Sequence, residues 1–399
     1  MTNHRANYTI HRKNAESFRR TYQKLLFLYT MAGLYFHIPF CKRLCGYCDF
    51  MRSVKLKYMP QVVEQMHCEL ETESGFLTDT ALKTIYFGGG TPSLLNPVDI
   101  QRFIEHAGRV FDTSSLREIT VEVNPDDITA EYARSLAATV VNRVSMGIQS
   151  LDDRVLEFMG RRHTAQGAIE AVKRLQDAGI ENISVDVIFG VAGFGSESLL
   201  HTLQGVTELN VQHISAYHLT IEDNTRFGRL LSKGELRQVS EEQSQREFLA
   251  VHNTLCNAGF DHYEVSNFAK EGFVSQHNSS YWTGAEYLGI GPGAHSFAKS
   301  TRRWCSQSVE QYVEGIEYGS ECLSSKDTLN EYVMVCLRRK EGIDLELVAE
   351  RWGKSEAERI LKTCEKFVEV GWIEQRDKMI AIPAEQFLIS DAVISELFV

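Results

Sequence analysis

Short apolar, β-branched and aromatic runs recur along residues 33–268, and the stretches between them carry helical spacing. The strand candidates are Leu34–Ile38, Thr84–Phe87, Glu118–Val123, Arg143–Ile148, Asn182–Ile188, His213–Leu219 and His262–Val265. Residues 240–258 open on the capping-box pattern Ser240-x-x-Gln243 and close at Asn257-Ala258-Gly259. Gly179 stops another helix just before a strand, where a left-handed residue is expected. Strand and helix in alternation predict a parallel sheet with crossover helices. Six or so such units are fewer than a closed barrel needs, so the pattern predicts an α/β fold, a partial (β/α)6 TIM-like barrel, with a doubly wound sheet as the alternative. In both, ligands gather at the carboxyl ends of the strands.

After Phe268 the alternation stops. A Gly- and aromatic-rich connection follows, holding His277-Asn278-Ser279-Ser280-Tyr281-Trp282 and Gly289-Ile290-Gly291-Pro292-Gly293. From about Leu329 the pattern predicts a smaller helical domain. Its last helix is expected to start at the capping box Ser355-x-x-Glu358 and to put Ile360, Leu361, Cys364, Phe367 and Val368 on one face. Trp372-Ile373 and Met379–Ile382, around Arg376-Asp377-Lys378, read as a hairpin, which makes the C-terminal domain winged-helix-like. Residues 1–30 carry Arg5, Arg12, Lys13, Arg19, Arg20 and Lys24 against Glu16 alone and read as an N-terminal extension, with Met31 as a second start. The expected layout is an extension over 1–30, a barrel over 31–268, a connection over 269–328 and a helical domain over 329–399.

Charge narrows the function. With 42 Lys+Arg against 53 Asp+Glu the formal charge is −11, which disfavours nucleic acid, since phosphate binding relies on clustered cations. No apolar run approaches the roughly 20 residues of a membrane helix, so the expectation is a cytoplasmic protein that is not integral to a membrane. Of nine cysteines, six are scattered and three are grouped. A reducing compartment with one metal site accounts for that better than disulfides do.

The group is Cys41-x3-Cys45-x2-Cys48, in a loop after the first strand. Three thiolates are an incomplete set both for structural zinc and for a cubane iron–sulfur cluster. Either one coordination position is open, or His37 completes a zinc knuckle. Thr84–Phe87 then runs into Gly88-Gly89-Gly90-Thr91, where glycine lets backbone approach a ligand and leaves amides free to bond it. Polar residues recur at later strand ends: Glu122, Gln149, Arg161 and Asp186.

The cysteine loop resembles the radical S-adenosylmethionine (SAM) superfamily signature, and the triple glycine matches that superfamily's SAM motif. The resemblance implies a [4Fe–4S] cluster on Cys41, Cys45 and Cys48, with SAM chelating the fourth iron and open to one-electron cleavage. The strand-end residues resemble the coproporphyrinogen-oxidase-like branch. There Tyr35, Gly89 and Glu122 belong with the cluster-bound SAM, and Tyr47, Gly90, Thr91, Gln149, Arg161 and Asp186 match positions that hold a second SAM; Thr220 and His295 depart from the pattern.

Phe50 separates this chain from the oxidases, whose loop is C-x3-C-x2-C-x-C. With Phe at that place, and with His277-Asn278-x-x-Tyr281-Trp282 matching an H-N-x-x-Y-W haem motif, the chain resembles the HemW-type haem chaperones over roughly residues 31–390. The resemblance implies haem contact through His277, Tyr281 and Trp282, and haem transfer to an acceptor protein of respiratory, membrane-associated kind. It implies no coproporphyrinogen decarboxylation and is compatible with a homodimer. Oxygen-independent coproporphyrinogen III oxidase is the alternative.

Overall fold

The computed structural model describes residues 32–399, so the expected 1–30 extension lies outside the described residues. Twelve strands form one sheet: β1 Ala32–Ile38, β2 Leu82–Gly89, β3 Glu118–Val123, β4 Arg143–Gln149, β5 Ile183–Phe189, β6 His213–His218, β7 Asp261–Glu264, β8 Asn267–Ala269, β9 Tyr287–Ile290, β10 His295–Ala298, β11 Thr301–Trp304 and β12 Gly319–Cys322. Their order is β12-β11-β10-β9-β1-β2-β3-β4-β5-β6-β8-β7. β1 to β6 run parallel and side by side in chain order, as expected of six βα units. The two ends of the sheet do not pair with each other, so no closed barrel forms. Beyond β6 the sheet turns antiparallel through β8 and β7.

One difference concerns the segment expected to be a connection. β9 pairs in parallel with β1 and carries β10 to β12 as antiparallel neighbours. These strands have four residues each and glycines beside them, too short for a visible alternation of apolar and polar positions. The segment is fastened by Glu69, buried in the helix Met59–Thr72. Its carboxylate accepts from the Gly291 amide at 2.7 Å and from the Tyr312 and Tyr318 hydroxyls at 2.5 and 2.6 Å.

Alternation along each strand sorts the chain into two layers. Leu34, Phe36 and Ile38 are fully buried on the outer face, where Phe36 packs 4.8 Å from both Phe87 and Phe103, the latter on helix Pro97–Val110. Burying such side chains stabilises by about 1.5–3 kcal/mol each. The intervening residues face the hollow of the curved sheet and are largely polar. Helix Glu241–Asn257 is capped as read, with the Ser240 hydroxyl accepting from the Gln243 amide. Gly179 sits at φ 93°.

In the C-terminal region β13 Ile343–Asp344, β14 Glu374–Arg376 and β15 Met379–Ala381 form a small sheet in which β14 and β15 make a hairpin, as expected, although its first strand is Glu374–Arg376 and not Trp372-Ile373. Its turn holds Asp377 at φ 54°. Helix Lys354–Glu369 does not begin at the Ser355 capping box. Gly353, at φ 102°, stands at its start, so Ser355 lies inside the first turn. Nor is it the last helix, because Ser390–Leu397 follows, too short at eight residues to show a clear period. Ile360, Cys364 and Phe367 are buried as expected. Val368, one 100° step beyond Phe367, is instead 39% exposed.

Candidate cluster and SAM site

The cysteine loop leaves the carboxyl end of β1 and is pinned on several sides. The Cys41 amide donates to Ser53 O at 3.0 Å, the Gly46 amide to Met159 O at 2.9 Å, and Lys42 pairs with Asp127 at 2.7 Å. All three cysteines are free thiols, Cys41 buried and the other two half-buried. Burial pushes the Cys41 and Cys48 thiols up. Opposing this, Arg52 faces both, and the Thr91 hydroxyl lies 3.4 Å from Cys41 Sγ. Arg161 Nη1 donates to Cys45 Sγ at 3.6 Å. Hydrogen-bond donors and guanidinium charge around sulfur stabilise thiolates, so this loop suits an anionic cluster. Among the described residues no group of three His, Cys, Asp or Glu side chains is placed to hold a single metal ion.

His37 bears on the zinc alternative. Its Nδ1 lies 3.0 Å from the Tyr35 hydroxyl and its Nε2 2.9 Å from Met51 O. With Nε2–H donated to the carbonyl and Nδ1 accepting from the phenol, both nitrogens are used inside the protein. Burial lowers its pKa to about 4. It is a neutral brace for the loop with no lone pair left for a metal.

The triple glycine is required by the chain's own packing. At Gly89, φ is 103° and a Cβ would fall 2.6 Å from the His37 ring; at Gly90 it would fall 2.7 Å from Phe40 O. The backbone thus passes tightly beside the cysteine loop. Gly89 N–H and the Tyr86 hydroxyl donate to the two oxygens of Glu122 at 3.2 and 2.7 Å. Burial raises the Glu122 carboxyl to about 7, and these two donors oppose the shift.

Around the rest of the hollow, Arg161 joins strand ends that lie far apart in sequence. Its Nη2 donates to Asn124 Oδ1 and to Gly147 O, both at 2.7 Å, and its charge faces Tyr47. Gln149 is buried at φ 67°, in a bulge between β4 and β5. A non-glycine residue held there is a strained conformation of the sort that clusters at binding sites. Asp186 accepts from Ser145 at 3.4 Å, and burial raises its carboxyl to about 6. Tyr35, Glu122, Thr91, Arg161 and Tyr47 are therefore brought around the cysteine loop, while Asp186 stands further along the same inner face.

Sequence reasoning missed Tyr86, Asn124 and Arg143. Tyr86 and Asn124 each sit two residues from a glycine or carboxylate already singled out, and strand alternation puts them on the same face. Arg143 is 1% exposed, with Nε and Nη1 lacking hydrogen-bond partners. Its charge lowers both Glu122 and Asp186 against their burial.

His277 lies elsewhere. It is wholly buried at the opposite end of β1 and β2, against Gly33 and Thr84. Its Nδ1 lies 2.7 Å from Thr84 Oγ1, its Nε2 lies 2.8 Å from the Tyr281 hydroxyl, and its ring stacks on Tyr86 at 4.9 Å. Glu118 accepts from the Gln276 and His277 amides at 2.8 and 2.9 Å, holding helix Gln276–Thr283 by its first turn. Tyr281 packs edge-on to His277 and Tyr287, and Trp282 is half-buried. The motif thus closes the floor of the sheet, with both imidazole nitrogens engaged.

This fold and loop define a class. Residues 35–205 match the family model of the radical SAM superfamily, and residues 323–387 match that of the HemN C-terminal domain. Coproporphyrinogen III oxidase (HemN) from Escherichia coli superposes with a TM-score of 0.78 over 93% of this chain and 91% of its own, at 20% identity, which shows the shared fold. Two curated relatives are both named heme chaperone HemW. The protein from Lactococcus lactis is 35% identical over 78% of this chain and 83% of its own length, and that from Bacillus subtilis is 33% identical over 82% and 88%. The chain belongs to the HemW family within the radical SAM superfamily. That superfamily implies a [4Fe–4S] cluster and SAM, and the donors around Cys41, Cys45 and Cys48 fit the cluster. Bound there, it would supply a single electron to a SAM molecule. No helix among the described residues is long and apolar enough to cross a membrane.

Proposed function

We propose that this protein binds haem and a [4Fe–4S] cluster with exchangeable SAM, and passes haem to an acceptor protein. The cluster is held by Cys41, Cys45 and Cys48. Tyr35, Gly89 and Glu122 serve the cluster-bound SAM, with Tyr47, Gly90, Thr91, Gln149, Arg161 and Asp186 forming the adjoining wall. Kinship with proteins named heme chaperone supports the haem part of this reading.

The observation that carries it is Phe50. At the position where the oxidases have a further cysteine, this chain presents a phenyl ring that is 64% exposed. An exposed aromatic beside the cluster loop suits contact with an apolar partner rather than ligation. The test is direct. Purified, cluster-loaded protein should take up haem and release it to an apo-haem protein, and should leave coproporphyrinogen III unconverted. Formation of protoporphyrinogen IX would overturn the reading in favour of the oxidase.

A further inference from the structure

Arg143 opens β4, and the pleat points it into the hollow of the sheet together with Ser145 and Gly147. The strand registers set Glu122 of β3 beside Ser145, and Asp186 of β5 beside Gly147. Arg143 therefore lies on the strand between these two carboxylates, on their face of the sheet and one layer beneath them. It is buried, and its Nε and Nη1 have no hydrogen-bond partner. Arginine stays charged in a protein, and a buried charge left without partners is costly unless opposite charge lies near. Glu122 and Asp186 are the acids on which it acts.

The other groups around Glu122 bring it no positive charge. Tyr35 from β1, Tyr86 from β2, Tyr217 from β6 and Tyr281 from helix Gln276–Thr283 face it as phenols that burial keeps neutral. Asp186 faces it as a like charge that resists its ionisation. On the floor of the hollow, burial and the Arg143 guanidinium keep the imidazoles of His213 and His277 neutral. His213 is bonded to Ser184 and Tyr263 at 2.7 and 2.8 Å, as His277 is to Thr84 and Tyr281. Arg143 thus supplies the cation at Glu122, and Arg161 adds to it at Asp186.

SAM carries a sulfonium, an ammonium and ribose hydroxyls. A carboxylate accepts from such groups when ionised, whereas its protonated form turns donor. Resting on the proposed place of Glu122 in the SAM site, we infer that Arg143 is a positioning residue, a buried counter-charge that presents Glu122 to SAM as an anion. It acts through that carboxylate.

The experiment is calorimetric titration of SAM into cluster-loaded, full-length protein from pH 6 to 9. The proteins are wild type, Arg143→Met, Arg143→Lys, Glu122→Gln and the double variant Arg143→Met/Glu122→Gln, with Arg143→Gln as a second neutral replacement. Exchanging a buried, unpaired guanidinium for an apolar chain of similar length is compatible with folding. Wild-type affinity should fall as pH drops through about 7, where Glu122 takes up its proton. Arg143→Met should move that fall up by at least about one pH unit, read below the midpoint as about tenfold weaker binding, and should rejoin wild type at high pH. The amine of SAM titrates alike in every variant and cancels. Arg143→Lys should restore the wild-type profile, and in the Glu122→Gln background Arg143→Met should change affinity by less than about twofold. Infrared spectra of the cluster-free proteins at pH 8 give a second reading. A protonated carboxyl band should be present in Arg143→Met and absent from wild type and from the double variant. A neutral variant that folds and keeps the wild-type profile, a loss of equal size at every pH, or the Glu122 band already present in wild type at pH 8 overturns the role of Arg143 alone. Cluster-loaded wild type that binds no SAM overturns the proposed SAM site itself.

Discussion

Nδ1 of His277 lies 2.7 Å from the hydroxyl of Thr84, across 193 residues of chain, at the amino-terminal end of β2. This contact decides how the H-N-x-x-Y-W sequence works in the free protein. His277 ties helix Gln276–Thr283 to the sheet, and binding iron through it would first require both its hydrogen bonds to break. His277→Ala should therefore destabilise the cluster-free protein by about 2–4 kcal/mol, through a cavity and two unpaired buried hydroxyls. Urea unfolding followed by far-UV circular dichroism measures this, and a change below about 0.5 kcal/mol would contradict the structural role.

The cysteine loop, by contrast, is fastened mainly by backbone bonds and by Lys42 with Asp127. Replacing Cys41, Cys45 or Cys48 by Ser should abolish bound iron and sulfide while leaving the far-UV spectrum intact. Full iron and sulfide in any one variant would remove that residue from the cluster.

Gly89 is held at φ 103° with the His37 ring 2.6 Å from where a Cβ would lie. Gly89→Ala meets both backbone strain and a clash, and should cost at least about 1–3 kcal/mol. It should also shift His37 from its brace on Met51, impairing cluster loading. Thermal unfolding and iron content of the same preparation test the two effects separately.

Glu122 gives a pH dependence of definite sign. Its folded carboxyl is raised from 4.5 to about 7 by burial. A raised folded pKa means stability that is fully present below the unfolded value and lost as pH rises through the folded one. Across that window wild type should lose roughly 3 kcal/mol relative to Glu122→Gln. The comparison of the two proteins cancels the opposing contribution of buried histidines such as His37 and His163, each lowered to about 4 by burial. Chemical unfolding at pH 4.5 and 7.5 measures the difference, and parallel profiles would show that Glu122 does not titrate in this range.

Much of the fold was legible because period-two patterns and glycine stops are local properties. Strands such as Glu118–Val123 matched residue for residue, and Gly179 stopped its helix as read. β9 to β12 were not legible, since four-residue strands have no period and their fastening to Glu69 is a contact across more than two hundred residues. The Ser355 capping pattern misled because a local motif competes with the turn that Gly353 imposes one residue before the helix.

The candidate site divides in the same way. Cys41, Cys45, Cys48 and the Gly88–Gly90 run declare themselves by spacing alone, because their loops are contiguous. The sequence also carried the family resemblance through Phe50. Only the folded chain joined Arg161 to Cys45, Asn124 and Gly147, buried both nitrogens of His277 beneath Tyr86, and brought His218, Phe248 and Leu388 around one cavity. The reason is physical. Motif spacing reports what one loop can reach, whereas burial and the occupation of each lone pair depend on which distant strands and helices pack against it.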